Sequence, residues 1–330
     1  MIDWLHSGGI AIPLFFRLHR SKATGKPSQY KTRTQLAVEL LRLAKQAWPS
    51  HLVTVSVDNE YSCKPVLDGL PENFELVGRF RAGTVLYNAK VPPSRGNRPR
   101  IWGERLGNLA QLADEPSTPW ETTQVWIYGR SVEMHTKRFE AVWKSAGPDR
   151  RLCVVITRDP SGRLGDSYFF STHREADSRE VIEDAADRWS LEACFRDSKQ
   201  HLGLEGVCNG FARRRHRRKK KVSGPDNEPG REPMASKRTV PMGLLVYGLV
   251  VVWYLENGQP ELDIVRVRRL SPWWRHKTTV SFADMLAAFR RQFWEEAYSL
   301  TSYSSSSPDR LAEDPSEHHS DEHHLERWTA

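Results

Sequence analysis

Arg188, Glu192 and Lys199 stand in the stretch RWSLEACFRDSKQHLGLE, at steps of four and seven residues. In an α-helix those steps return to nearly the same face, so a carboxylate would lie between two cations. Leu191, Phe195 and Leu202 fall on an adjoining stripe suited to packing on a core, which puts the trio at the rim of that stripe. Such a trio has two uses. The bland one is a surface pair at helical spacing, worth about 0.3–0.5 kcal/mol. The chemical one starts from the cations, which keep the glutamate ionised and ready to bind a hard divalent metal. Asp58, which closes the apolar run LVTVSVD, offers a second acid. Mg²⁺ is usually held by one or two carboxylates together with the phosphates of its substrate. A pair of such ions activates the attacking oxygen and stabilises the leaving oxygen of an in-line phosphoryl displacement. Arg188 would then suit a phosphate as a planar fork and Lys199 as a point charge. Asp58 and Glu192 are therefore candidate metal ligands and catalytic acids. Tyr61, close after Asp58, is a candidate lining residue, with core packing an equal reading.

Two elements must position these groups. LVTVSVD reads as a central strand buried on both faces, which brings Asp58 to the carboxyl end of a core strand, where sheet-based sites collect. The helix carrying Glu192 follows much later, from about Asp177. Around them the pattern is α/β. A pair of strands opens the chain, and a polar, basic loop follows. TRTQLAVELLRLAKQAW then spaces Leu36, Leu40, Leu43 and Ala47 as one helical face, with Thr34 a candidate N-cap and Pro49 the stop. A short helix at Pro65–Leu70 and the strand FELVGRFR complete a β-α-β-α-β rhythm. This gives a first core part over residues 1–83.

Residues 84–172 change texture and read as a β-rich insertion, with strand runs in TTQVWIYG, RSVEMHTKRFEAVW, RLCVVITRD and DSYFFST, the last two joined by a PSG turn. A second core part spans 173–297. It contains a basic loop over 212–238, in which Arg213, Arg214, Arg215, Arg217, Arg218, Lys219, Lys220 and Lys221 suit non-specific phosphate contact. The apolar run from Met242 is about fifteen residues long before its first charge, short of the roughly 20 that span a bilayer, and reads as a buried helix. Trp273, Trp274, Arg275, His276 and Lys277 could stack on or clamp nucleic-acid ends, with packing an equal reading for the two tryptophans. Residues 298–330 read as a disordered tail, and His318, His319, His323 and His324 belong to it rather than to a metal site.

Composition narrows the field. Across 330 residues Lys and Arg outnumber Asp and Glu by 49 to 41, for a net charge of +8, which favours a polyanionic partner. Cys63, Cys153, Cys194 and Cys208 form no Cys-x-x-Cys pair and imply no structural zinc. They suit reduced thiols, and the start lacks the pattern of a secretory signal, so a cytoplasmic protein is expected. No nucleophile motif supports a Ser-His-Asp enzyme. A glycosidase would use two carboxylates but needs neither the flanking cations nor the basic run.

These residues together resemble the DDE transposases of bacterial insertion sequences, specifically the group whose last acid lies in a Tyr-x2-Arg-x3-Glu-x6-Lys signature. Arg188, Glu192 and Lys199 match that spacing, while Ala185 occupies the tyrosine position. The run VDNEY resembles the segment of the second acid, with Asp58 as the acid and Tyr61 as the aromatic that often follows. Weaker likeness runs through the insertion and through WWRHK…SFADMLAAFRR. The resemblance implies an RNase H-like mixed sheet with flanking helices, and two Mg²⁺ ions, or Mn²⁺ in their place. It also implies DNA partners at element ends and target, and a homodimer in the DNA complex. Cleavage and strand transfer would be the activity. A DNA-binding remnant and a nuclease without strand transfer are the alternatives. The family's first acid lies on a strand upstream of the segment resembling IPLFFRL. Here only Asp3 precedes that segment, and MIDWLHSGG offers no apolar strand before it. The first strand is expected to be missing, to be supplied by an upstream polypeptide or not at all.

Overall fold

Strand β1, Val53–Ser56, lies parallel to β2, Phe74–Arg79, with Val53 opposite Phe74 and Ser56 opposite Val77. The computed structural model that shows this describes residues 10–19, 30–90, 101–204 and 232–304. The chain divides into a unit up to Val251 and another from Val252.

In the first unit β1 and β2 belong to one eight-stranded mixed sheet whose other pairings are antiparallel. Its remaining strands are β3 (Val85–Tyr87), β4 (Arg105–Asn108), β5 (Glu121–Ile127), β6 (Arg130–Trp143), β7 (Arg151–Arg158) and β8 (Ser167–Ser171). The order is β1-β2-β8-β7-β6-β3-β4, with β5 also on β6. The β-rich stretch therefore continues the sheet that starts at β1 instead of building one of its own. β6 can serve both β5 and β3 because its fourteen residues give one half to each.

The central position belongs to β7. In RLCVVITR, Leu152, Val154 and Ile156 enter one apolar cluster, and Cys153 and Val155 enter the other. The first cluster also takes Leu76, Phe170 and residues of three helices, α1 (Arg33–Ala47), α2 (Lys64–Asp68) and α3 (Leu109–Asp114). The second takes Val77 with Val181 and Ile182 of α4, Ser178–Asp187, which Asp177 caps by accepting from the Glu180 N–H at 2.8 Å. This is an α/β fold with helices on both faces of the sheet.

Several expectations need correction here. LVTVSVD is not a doubly buried central strand: among the described residues β1 pairs with β2 alone, and its residues are half-buried or exposed. The pair of strands expected at the start is not formed in residues 10–19, where Phe15 instead meets Trp48 edge-on at 5.9 Å. An apolar segment with no neighbouring strand to bond has little reason to adopt the extended ladder.

In α1 the cap is Thr32, not Thr34. Its hydroxyl accepts from the Gln35 N–H while the Gln35 side chain accepts from the Thr32 N–H, a capping box. The buried stripe is Ala37, Leu41 and Ala44, rotated from the predicted Leu36, Leu40 and Leu43. Thr32→Ala should cost about 1 kcal/mol, read as a lower urea midpoint with an unchanged slope.

Helix α5, Trp189–His201, follows α4 after Arg188, and α6 runs Glu232–Asn257, longer than the apolar run predicted. From Arg238 α6 is long and apolar enough to cross a membrane, by length and composition alone. It is not wholly buried either: Leu244, Tyr247 and Val250 face inward, and Met242, Leu245 and Leu249 are exposed. Residues 232–238, expected to close the basic loop, are helical.

The second unit holds the end of α6, then α7 (Pro260–Leu270), a 3-10 turn at Pro272–Trp274 and α8 (Phe282–Ser304). Two buried carboxylates organise it. Asp263 accepts from the Tyr254 hydroxyl at 2.8 Å and pairs with Arg291. Asp284 accepts from the N–H and hydroxyl of Ser281 at 2.7 Å and pairs with Lys277. Burial alone would raise the Asp284 carboxyl, but its bonds to Lys277 and Ser281 outweigh that and hold it below the usual range. α8 runs to Ser304, past the predicted end of order at 297, and the rest of the expected tail lies outside the described residues.

Candidate functional site

The Asp58 turn is built from the end of β1. The Val57 N–H still reaches the Val77 carbonyl at 2.9 Å, and the chain then folds so that the Asp58 carbonyl accepts from the N–H groups of Tyr61 and Ser62. The Asp58 side chain is exposed, and one carboxylate oxygen accepts from the Asn59 N–H at 2.7 Å. Arg33 at the start of α1 clamps this turn through both oxygens of Glu60, at 3.0 and 2.9 Å. Tyr61 packs against the apolar cluster below, and burial, then Glu60, raise its phenol above the ordinary value. The packing half of the Tyr61 reading is thus seen, with the side chain only partly buried.

The Glu192 side is built on the α4–α5 junction. Arg188, 24% exposed, donates to Glu192, 47% exposed, at 2.8 Å across one helical turn. Glu192, Phe195, Arg196, Lys199 and Gln200 line one open groove on α5. The trio thus shares a face, as its spacing predicts. The predicted packing stripe does not hold, because the buried side of α5 is Cys194 and Ser198, leaving Leu191 and Phe195 in contact with solvent. Small residues permit the closer approach: Cys194 is fully buried, and burial pushes its thiol up to about 11.

A bond between the Ser56 hydroxyl and the Asp184 carbonyl, 2.5 Å, joins the two halves. It fastens the end of β1, two residues before Asp58, to the last turn of α4, one turn before Arg188. The β5–β6 hairpin reaches the same junction. The Trp126 N–H donates to Glu183 at 2.6 Å, and Tyr128 meets Trp189 edge-on at 6.2 Å. Tyr128 and Gly129, with φ of 52° and 74°, form the tight turn that aims this tip. Sequence reasoning missed these aromatic neighbours and Arg196. The YG pair flanked by alternating residues was the available signal for the hairpin, but nothing in it pointed to Trp189.

As a donor set, Asp58 and Glu192 supply hard carboxylate oxygens, the right kind for Mg²⁺ or Mn²⁺. Their number is two. No group of three acid, histidine or cysteine side chains gathers among the described residues. Arg213 to Lys221 lie outside the described residues, so the structure does not place the basic run. No family model matches the chain, and no curated protein does. The family resemblance drawn from Arg188, Glu192, Lys199 and Asp58 therefore stands on those residues and their setting.

Proposed function

We propose that this chain is the catalytic part of a cytoplasmic DNA transposase of the insertion-sequence type, on an RNase H-like core, which cleaves DNA at element ends and joins the freed 3′-hydroxyl to target DNA. The Ser56–Asp184 bond carries the reading, since it ties the turn of one candidate acid to the helix pair bearing the other. The end of a parallel strand beside a helix terminus is also where α/β sheets place their sites. Asp58 and Glu192 would hold Mg²⁺ or Mn²⁺, which supplies activation of the attacking oxygen and neutralisation of the leaving one.

The chain's own side chains have separate tasks. Arg188 donates to Glu192 and holds its carboxylate in place. Lys199, in the same groove, offers a point charge to a backbone phosphate, and the run Arg213 to Lys221 adds attraction that salt would screen. The edge of β1 that has no partner among the described residues would take a further strand, and an acid on that strand would raise the carboxylate count to three. An upstream polypeptide is the proposed source, and a homodimer bridging two DNA ends is the proposed working form. A second reading, a DNA-binding remnant without catalysis, is favoured by the donor count of two.

The test incubates the chain with DNA carrying candidate element ends and Mg²⁺, alone and with the polypeptide encoded immediately upstream. Joined products in the mixture are expected. Cut but unjoined DNA would assign a nuclease, and binding without cutting in either sample would assign the remnant.

A further inference from the structure

Trp273 is 86% exposed, the most exposed of the large apolar side chains described. An indole left in water forgoes a large burial gain, so a rigid loop that presents one needs a reason. The loop is rigid. The Ser271 N–H reaches the Val267 carbonyl at 3.0 Å, the Trp274 N–H reaches Ser271 at 3.0 Å, and the Lys277 N–H reaches Trp274 at 2.9 Å. Arg268 donates to the Lys277 carbonyl at 2.8 Å, tying the loop back to α7. Lys277 is buried against Asp284, which fixes the far side. The two tryptophans differ: Lys277 lies over the ring of Trp274 at 5.1 Å, whereas Trp273 has no ring or cation partner among the described residues.

The charge along this segment is of one sign. Between Asp263 and Asp284 the chain carries Arg266, Arg268, Arg269, Arg275 and Lys277 and no acid. No salt bridge engages Arg266, Arg269 or Arg275 among the described residues. An exposed aromatic face in a segment whose Arg266, Arg269 and Arg275 lack a carboxylate partner among the described residues, Arg275 donating to the His276 ring at 3.0 Å, has the two parts of a site for unpaired nucleic acid, a surface for a base and charge for the phosphates on either side. An apolar protein partner would bury the tryptophan but leave the cations uncompensated.

We infer that the second unit holds a binding site for single-stranded or frayed DNA, with Trp273 stacking on one unpaired base and Arg266, Arg269 and Arg275 contacting its backbone. The inference deepens the transposase reading by naming the form of DNA this unit takes, and its phosphate-and-base chemistry needs neither Asp58 nor Glu192.

The experiment measures fluorescence anisotropy of the full chain with a blunt duplex and with the same duplex bearing a single-stranded 3′ tail, at several salt concentrations. Trp273→Ala is expected to weaken binding of the tailed duplex about tenfold and leave the blunt duplex unchanged. Trp273→Phe, which keeps a stacking face, should retain most of the preference for the tail. Replacing Arg266, Arg269 and Arg275 by Gln should weaken both and flatten the salt dependence. Equal affinities of the parent and Trp273→Ala, or an equal loss on both DNAs, would overturn the inference while leaving the transposase reading in place. A parent chain that binds neither DNA would overturn both.

Discussion

If the proposed transposase reading holds, Glu192→Gln should lower Mg²⁺-dependent DNA cleavage by roughly three orders of magnitude or more, because a metal ligand's charge is worth several kcal/mol in the transition state. The measurement is made on the chain with the proposed partner polypeptide added, with cleavage rate and DNA affinity read in parallel. The amide keeps the size of the side chain and can still accept from Arg188, which now sits 2.8 Å from Glu192. Affinity should therefore stay near the parent value, or rise slightly as one negative charge leaves the groove proposed to face phosphates. Cleavage at the parent rate would remove Glu192 from the proposed machinery and return its pairing with Arg188 to the surface interaction its spacing also allows.

Phe170→Ala should destabilise the first unit by about 3–5 kcal/mol. Phe170 is fully buried, stacks on Phe80 at 4.5 Å and meets Trp143 at 6.0 Å. A Cβ on Gly78 would come within 2.6 Å of its ring, so the neighbouring strand is shaped around it. Domains of this size are stable by about 5–15 kcal/mol, so the loss takes much of the total and should appear as a large fall in the urea midpoint. A shift of less than about 1 kcal/mol would mean that the pocket collapses onto the vacancy.

The sequence announces some of this structure better than the rest. FELVGR and RLCVVITR are strands because apolar residues, several of them β-branched or aromatic, dominate their centres, and Arg33 to Ala47 is helical because good helix formers follow a capping box. Arg188, Glu192 and Lys199 share a face because spacing alone sets that. What spacing cannot set is which face a helix turns inward. Leu191 and Phe195 look like core residues, yet the small side chains of Cys194 and Ser198 take the buried side of α5. The rank of a strand within its sheet is equally hidden. VTVS and VVIT have nearly the same apolar texture, but among the described residues VVIT has a partner on each side and VTVS on only one. Texture reports that a strand packs on something and leaves open how many neighbours bond to it. Asp58 was legible as the end of a strand, and its link to the Glu192 helices through Ser56 and Asp184 was not, because a serine-to-carbonyl bond across 128 residues has no local signature.

Among the described residues β1 pairs only with β2, and on the proposed reading that would make the stability of this protein a matter of mass action. A segment that hydrogen-bonds along Val53–Ser56 can do so only when the strand is folded, so it binds the native state and not the unfolded one. Each tenfold rise of such a segment above its dissociation constant adds about 1.4 kcal/mol. The melting temperature measured for this chain would then report the company it keeps, and a rise in that temperature on adding a candidate polypeptide would identify a strand that pairs with β1 without any DNA being cut.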